Sequence, residues 1–141
     1  MRAQGGDFGL IHADVLRENV VETPDGLALI DFDDGGFGFR LYDLGTALVQ
    51  NLEEPNLAPI AGALVAGYRR ARPAPDLDAN TLTLFVLLRC FASAGWIVSR
   101  APRTDPRQGL YAARALRLAR YFLEGSSPWD KPQLAPIRRQ P

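Results

Sequence analysis

Two short stretches decide the fold of this chain: HADVLREN at residues 12–19 and IDFDD at residues 30–34. Each follows an apolar run, residues 8–11 before the first and residues 27–30 before the second. Short apolar runs bounded by turn residues are typical of β-strands. The sequence therefore predicts that each stretch begins where a strand ends.

A turn signal separates the two stretches. Thr23-Pro24-Asp25-Gly26 lies between residues 19–22, NVVE, with two β-branched residues, and the apolar run 27–30. Proline presets one backbone angle of a turn, and Asp-Gly accepts the angles that other residues avoid. The pattern predicts a β-hairpin, and this hairpin would bring Asp14, Asn19 and Asp31 to one place.

These three side chains suit one kind of chemistry. One carboxylate can accept a proton, whereas an asparagine oxygen and a second carboxylate can hold Mg²⁺, which usually takes one or two protein oxygens and completes its shell with phosphate and water. Phosphoryl transfer requires a positioned nucleophile and phosphates neutralised by metal. A single aspartate in a loop is most often a cap or turn residue, and Asp25 is interpreted in that way. Asp14 differs because Asn19 and Asp31 stand at matching offsets.

The arrangement resembles the catalytic loop of protein kinases, His-x-Asp with Asn five residues after the Asp, followed by their metal motif. It is more similar still to the aminoglycoside phosphotransferase, choline kinase and homoserine-kinase-like group. Ala13 stands where that group usually has glycine, and Asp33 replaces the glycine of the kinase metal motif. Residues 41–45, LYDLG, resemble the group's Tyr-Asp-Leu-Ala segment. The resemblance is dense over residues 8–48 and general beyond them.

The resemblance implies a role for each matching residue. Asp14 would be the catalytic base, and Asn19 and Asp31 would bind the cofactors, as ligands of the Mg²⁺ that accompanies the co-substrate ATP. His12 and Asp43 would give structural support, His12 beneath the metal motif and Asp43 through hydrogen bonds to the catalytic-loop backbone. The motif assigns no role to the neighbouring acidic residues, Asp33 and Asp34.

Beyond residue 42 the sequence is helical. Helices are expected from Asp43 to about residue 52 and over residues 58–71, 79–99 and 107–123, with caps at Asp43, Asp78 and Asp105. Residues 35–38, GGFG, are expected to form no regular element. The fold class is α+β, mostly α: the C-terminal lobe of a protein-kinase-like fold, with a β-hairpin region followed by a helical bundle. One domain is expected over residues 1–125, with helices over 43–125 and a proline-rich tail at 126–141.

Helical spacing also suggests roles for side chains in the third and fourth helices. Arg114, Arg117 and Arg120 recur at the spacing of a solvated face, whereas the aromatic residues Phe85, Phe91 and Trp96 are expected in the core.

Charge and cysteine content favour some settings over others. The chain of 141 residues has a formal net charge of zero, but residues 1–54 hold 11 acidic and 3 basic residues. Zero net charge gives no reason to expect a nucleic-acid or membrane partner. Cys90 is the single cysteine, which fits a reducing, cytoplasmic compartment. The apolar stretch 82–98 contains Arg89, and a central arginine is costly in a bilayer, so this stretch is interpreted as a core helix.

One part of a kinase site has no counterpart in the sequence. Kinase-like enzymes hold phosphates with a glycine-rich loop and a strand lysine. Here no such loop precedes the catalytic strand, and the sole lysine, Lys131, lies in the tail. We therefore expect a fragment that lacks the N-terminal nucleotide-gripping lobe, and self-association through the face that this lobe would cover. The expected small-molecule acceptor is an amino acid, an amino alcohol or an aminoglycoside-like compound.

Two alternatives remain open from the sequence. One is a non-catalytic kinase-like remnant or binding module. The other is a haloacid-dehalogenase-type phosphatase, because an apolar strand followed by Asp31-Phe32-Asp33 also matches the opening of that class. That class also needs a downstream lysine, for which Lys131 is poorly placed, and an acidic pair and repeated strand–helix units, which the sequence does not offer.

Overall fold

The structure, a computed structural model, describes residues 7–74 and 77–129. Four short strands come first and four helices follow. The strands are β1 (Phe8–Ile11), β2 (Val20–Thr23), β3 (Gly26–Leu29) and β4 (Gly36–Phe39). The helices are α1 (Leu41–Val49), α2 (Leu57–Ala71), α3 (Ala79–Arg100) and α4 (Pro106–Leu123), and a 3₁₀ turn spans Arg17–Asn19. The mostly helical α+β fold class is confirmed. Residues 130–141 of the expected tail lie outside the described residues.

The predicted hairpin is present. Strands β2 and β3 pair antiparallel, with Val20 opposite Leu29 and Thr23 opposite Gly26. Pro24 and Asp25 form the loop, and Gly26 has a φ of +127°, an angle that glycine accepts without strain. The hydroxyl of Thr23 donates to the Gly26 carbonyl at 2.9 Å. Local turn chemistry therefore determines the register of this pair.

The expectation for residues 35–38 is wrong. Residues 36–39 form strand β4, which pairs antiparallel with β1, and Phe8 lies opposite Phe39. A Cβ on Gly38 would lie 2.5 Å from Cδ1 of Ile11. The glycine therefore leaves room for a partner side chain instead of breaking the strand. The rings of Phe8 and Phe39 meet edge to face, 5.4 Å apart.

Charged contacts tie the start of β1 to α2. The Asp7 carboxylate accepts hydrogen bonds from Arg40 and Arg72, each at 2.8 Å, and from the Tyr68 hydroxyl. Burial, followed by the hydrogen bond to Asp7, raises the pKa of Tyr68 to about 12. The Tyr68 hydroxyl therefore stays protonated at neutral pH and remains a donor to Asp7.

Helices α1, α3 and α4 surround the core. Fully buried Leu48, Val86 and Leu118 come from these three helices in turn. Helices α1 and α3 approach closely at Gly45, where a Cβ would lie 2.5 Å from the backbone of Phe85. This contact places the middle of α1 beside the N-terminal third of α3.

The helix starts agree with the predicted caps at two of three positions. Asp78 accepts from the backbone N–H of Thr81 at 2.7 Å, and Asp105 accepts from that of Arg107 at 2.9 Å. The predicted cap at Asp43 is wrong, because α1 begins at Leu41 with Arg40 at its N-cap. Asp43 lies inside the first turn of α1, and its carboxylate accepts hydrogen bonds from the backbone of His12 and Ala13.

Helix α3 is long and apolar enough, by length and composition, to cross a membrane, and 39% of its most apolar window is buried inside the fold. It packs against both α1 and α4. Phe85 is buried as expected, but Phe91 and Trp96 are about half exposed, so the expectation that they lie in the core is wrong. Both lie on α3, whose buried residues include Val86, Cys90 and Ile97 instead.

Candidate active site

His12 follows β1 directly and packs against residues 30–34. Its side chain is buried, and its ring lies 4.4 Å from the ring of Phe32. The backbone N–H of Asp14 donates to Nδ1 of His12 at 3.3 Å, and Nε2 lies 2.9 Å from the Ile30 carbonyl. These two bonds assign the imidazole hydrogen to Nε2, which donates to Ile30. His12 thus joins the end of β1 to the residue before Asp31.

Asp43 holds the turn that leads to Asp14. Its two carboxylate oxygens accept hydrogen bonds from the backbone N–H groups of His12, at 2.9 Å, and Ala13, at 2.8 Å. Ala13 has a φ of +66°, in the left-handed region that alanine avoids. The carboxylate therefore satisfies two backbone donors of a strained turn, an arrangement that fits the supporting role the resemblance implies.

Asp14 is held from two sides. Its Oδ1 accepts from Nη2 of Arg89 at 2.7 Å, and its Oδ2 lies 3.2 Å from Nδ2 of Asn19. Nη1 of Arg89 also donates to the Ala13 carbonyl at 3.1 Å. The Asp14 side chain is 23% exposed, which leaves part of the carboxylate accessible to a small molecule.

Asn19 connects the loop to the hairpin. Its side chain is buried, and Nδ2 donates to the Asp14 carbonyl at 2.9 Å. Its own carbonyl accepts from the backbone N–H of Ile30 at 3.0 Å, which continues the β2–β3 ladder by one step. Asn19 therefore lies opposite Ile30, next to Asp31 in the chain. The structure brings the first and second stretches together at this point.

Asp31 is exposed and has a φ of +62°. Aspartate tolerates this left-handed conformation better than most residues, so a sharp change of direction after β3 is possible here. Asp33 and Asp34 are also exposed, in the turn closed by the bond from Gly35 N–H to the Phe32 carbonyl at 2.8 Å. The exposed carboxylate of Asp31 can bind a ligand from outside the chain.

The residues that the resemblance implies as metal ligands fit Mg²⁺ by their chemistry. The amide nitrogen of Asn19 is used in its bonds to Asp14, so its oxygen is the end available to a cation. Asp31 adds an exposed carboxylate. Within residues 7–74 and 77–129, no three His, Cys, Asp or Glu side chains cluster in a way that could hold a metal. Two oxygen ligands are nevertheless what Mg²⁺ commonly takes from a protein in phosphate chemistry.

A cavity of about 110 Å³ lies beside the loop at residues 12–19. Its lining includes Leu16, Glu18, Gln50, Arg89, Ser93 and Tyr111. The hydrogen bond from Gln50 to Glu18, 2.9 Å long, holds the pKa of that carboxyl below its usual value. Cys90 also borders the cavity, but burial raises the pKa of its thiol to about 11, so the thiol stays protonated and unreactive at neutral pH.

The contacts of three arginines could not be predicted from the sequence. From the sequence, Arg89 argues only against a membrane span, whereas in the structure it binds Asp14. Arg114 and Arg117 were expected on a solvated face, but both bind Glu53, at 2.5 Å and 2.9 Å. The partners lie more than 60 positions away in sequence, so local spacing could not identify them.

The mostly helical fold, with its small hairpin region and four helices, matches that of a protein-kinase-like phosphotransferase. The sequence profile of the phosphotransferase enzyme family matches residues 1–78, and the chain belongs to this family.

Two similar proteins extend the comparison. An uncharacterized protein of Deinococcus radiodurans is 34% identical over 104 residues, which cover 70% of this chain and 30% of that protein. A solved structure of a microcompartment-associated aminopropanol kinase superposes with a TM-score of 0.74 at 34% identity. That match covers 89% of this chain and 41% of the kinase. The chain thus spans less than half the length of these relatives.

Proposed function

We propose that this chain is the acceptor-side and metal-side half of an ATP-dependent phosphotransferase that acts on a hydroxyl group of a small molecule. The observation that carries the proposal is the junction at Asn19. Its side chain binds Asp14, and its backbone binds Ile30, the residue before Asp31. This junction supports a site in which a proton acceptor and two oxygen ligands for a cation meet at one end of the hairpin.

Asp14 acts as the base in the proposed reaction. The acceptor oxygen attacks the γ-phosphorus of ATP, its new bond to phosphorus forms, and its proton passes to the Asp14 carboxylate. The bond from the γ-phosphorus to the bridging oxygen breaks, and ADP leaves. The contacts from Arg89 and Asn19 hold the carboxylate in one orientation, which favours proton transfer.

Asn19 and Asp31 are the proposed protein ligands of Mg²⁺. When bound, the ion neutralises charge on the phosphates and on the leaving group. The chain contributes the asparagine oxygen and the exposed carboxylate, and the buried His12 keeps the two segments in contact through Ile30. His12 and Asp43 take no direct part in this chemistry.

We propose an amino alcohol, a hydroxyl-bearing amino acid or an aminoglycoside-like compound as the acceptor. The aminopropanol kinase among the structural relatives supports the first of these. The Glu18 carboxylate beside the cavity, with its lowered pKa, supports an acceptor that carries a positive charge. ATP use and the single buried thiol support a cytoplasmic location.

A separate nucleotide-binding lobe completes the proposed site. The chain covers 41% of the aminopropanol kinase, and its strand region carries large exposed apolar side chains. Leu10 and Phe37 are opposite each other in the β1–β4 ladder and are 69% and 80% exposed. We propose that the lobe covers this face and that copies of the isolated chain associate through it. Sedimentation of the isolated chain as a monomer at high concentration would contradict the association.

The second candidate function is a kinase-like binding module without catalysis, because the chain spans less than half of the kinase it resembles. The phosphatase alternative has less support. The order of described elements, four strands and then four helices, is not the repeated strand–helix pattern which that class needs. Capture of a beryllofluoride adduct on Asp31 would revive it.

Titration calorimetry and a transfer assay separate these functions. The complete natural protein is expected to bind Mg²⁺–ATP and to form ADP with at least one of serine, homoserine, aminopropanol and kanamycin. Binding without transfer to any of them, over hours at high enzyme concentration, would favour the binding module. The absence of both binding and transfer would reject the proposed function.

A further inference from the structure

Arg89 lies in the middle of α3, a helix that is otherwise mostly apolar. Its neighbours Val86 and Cys90 are 0% and 1% exposed, and the Arg89 side chain itself is 17% exposed. A largely buried guanidinium needs an anionic partner, and even a paired one is often no more stabilising than a well-packed apolar residue. The Nε atom of Arg89 is buried and has no hydrogen-bond partner in the part of the chain that the structure describes. Fold stability alone therefore gives little reason for an arginine at this position.

The guanidinium contacts two consecutive residues of the catalytic loop. Nη1 binds the carbonyl of Ala13, and Nη2 binds Oδ1 of Asp14. The Ala13 N–H is already held by Asp43 from α1. Ala13, the left-handed residue of the turn, is thus bound at its N–H by a side chain of α1 and at its carbonyl by a side chain of α3. These two helices are in close contact at Gly45.

The same contact determines the orientation of Asp14. The 2.7 Å bond from Arg89 to Oδ1 is shorter than the 3.2 Å contact from Asn19 to Oδ2. A charge-assisted bond to one oxygen, combined with a bond to the preceding carbonyl, fixes both the side chain and its backbone. Lysine cannot reproduce this, because its single ammonium group lacks the planar fork of donors.

We infer that Arg89 is a positioning residue for phosphoryl transfer: its two guanidinium nitrogens hold the Ala13 carbonyl and the Asp14 carboxylate in the geometry that proton transfer needs. The inference rests on the proposed function, in which Asp14 is the base. Arg89 acts through Asp14, which its guanidinium contacts directly.

The test uses Arg89→Met and Arg89→Lys in the complete natural protein, with Arg100→Met, an exposed arginine at the end of the same helix, as the control. Initial rates of ADP formation are measured over a range of Mg²⁺–ATP concentrations with a defined mixture of serine, homoserine, aminopropanol and kanamycin. We expect kcat to fall about 100-fold in Arg89→Met, the loss typical of a misplaced catalytic group. The lysine variant should recover no more than about a tenth of the lost rate, while KM for ATP stays within about twofold in both.

The outcomes are distinct. Full activity in Arg89→Lys would overturn the inference, because a charge alone would then suffice. Unchanged kcat in Arg89→Met would also overturn it while leaving the proposed function intact. A fall in kcat shared by Arg100→Met would assign the effect to helix stability and reject the positioning role. Absence of transfer by the unaltered protein would reject the proposed function, and the inference with it.

Discussion

The carboxylate of Asp43 accepts a 2.8 Å hydrogen bond from the backbone N–H of Ala13, a residue whose φ is +66°. A side chain in the first turn of α1 therefore stabilises a strained turn that lies 30 positions earlier in the chain. Each oxygen of Asp43 satisfies one backbone donor, since the second accepts from His12.

Asp43→Asn should destabilise the fold by about 1–3 kcal/mol, because the amide keeps one acceptor oxygen and turns a donor toward a backbone N–H. Urea unfolding followed by circular dichroism measures the change. Asp25→Asn, in the exposed hairpin loop, is the matched control and should change stability by less than about 0.5 kcal/mol. Equal effects of the two substitutions would contradict the account of Asp43.

Ala13→Gly should raise the free energy of unfolding by about 0.5–1 kcal/mol. Glycine removes the cost of the left-handed conformation, and this gain exceeds the entropy that glycine adds to the unfolded chain. The same change at Ala28, in the interior of β3, should lower stability by a similar amount. The denaturation midpoints of both variants give the comparison, and a loss of stability at position 13 would show that the turn is not strained.

Part of the fold could be predicted from the sequence alone. The hairpin and the caps at Asp78 and Asp105 depend on residues within a few positions, so local patterns were sufficient to predict them. The sequence does not predict strand β4. Its residues form a strand because they pair with β1, and no local sequence pattern shows that pairing.

The same limit applies to the site. The spacing of Asp14, Asn19 and Asp31 pointed to one location, and the structure brings their segments together through Asn19 and Ile30. Arg89 lies 75 positions after Asp14, and only the packing of α3 against the loop reveals the contact.

Gly45→Ala should destabilise the fold by about 1–3 kcal/mol, because the new methyl group would lie 2.5 Å from the backbone of Phe85 and push α1 from α3. Gly62→Ala is the control on the exposed face of α2, where a Cβ meets nothing within 4 Å. That change should stabilise the helix by about 0.5–1 kcal/mol. The thermal unfolding midpoints of the two variants should shift in opposite directions relative to the unaltered protein. A shift in the same direction would argue against the close helix contact.

Glu53 should make part of the stability dependent on pH. Burial acts to raise the pKa of Glu53, but the hydrogen bonds and charges of Arg114 and Arg117 outweigh it and hold the pKa below the usual 4.5. A lowered pKa in the folded state stabilises the protein above the unfolded value, and this contribution is lost as the pH falls through the folded value.

Because solvent screens the exposed part of Glu53, Glu53→Gln should cost about 0.5–1 kcal/mol at pH 7, and the cost should shrink as the pH falls below 4.5. Urea unfolding at several pH values from 7 to below 4.5 measures the difference from the unaltered protein. Glu22→Gln, at an exposed position of β2, provides the control. A cost that stays constant with pH would contradict the ion-pair account.

The central claim is that Asp14 is the catalytic base and that Asp31 serves the metal. In the complete natural protein, Asp14→Ala should lower kcat by about 10²–10⁴-fold. Its affinity for Mg²⁺–ATP should stay within about threefold, because Asp14 is not a metal ligand in the proposed site. Asp31→Ala should instead weaken the binding of Mg²⁺–ATP itself.

The most direct test is the turnover of Asp14→Ala measured beside its Mg²⁺–ATP affinity by titration calorimetry. The account predicts lost turnover with retained binding. Normal turnover in this variant would contradict it.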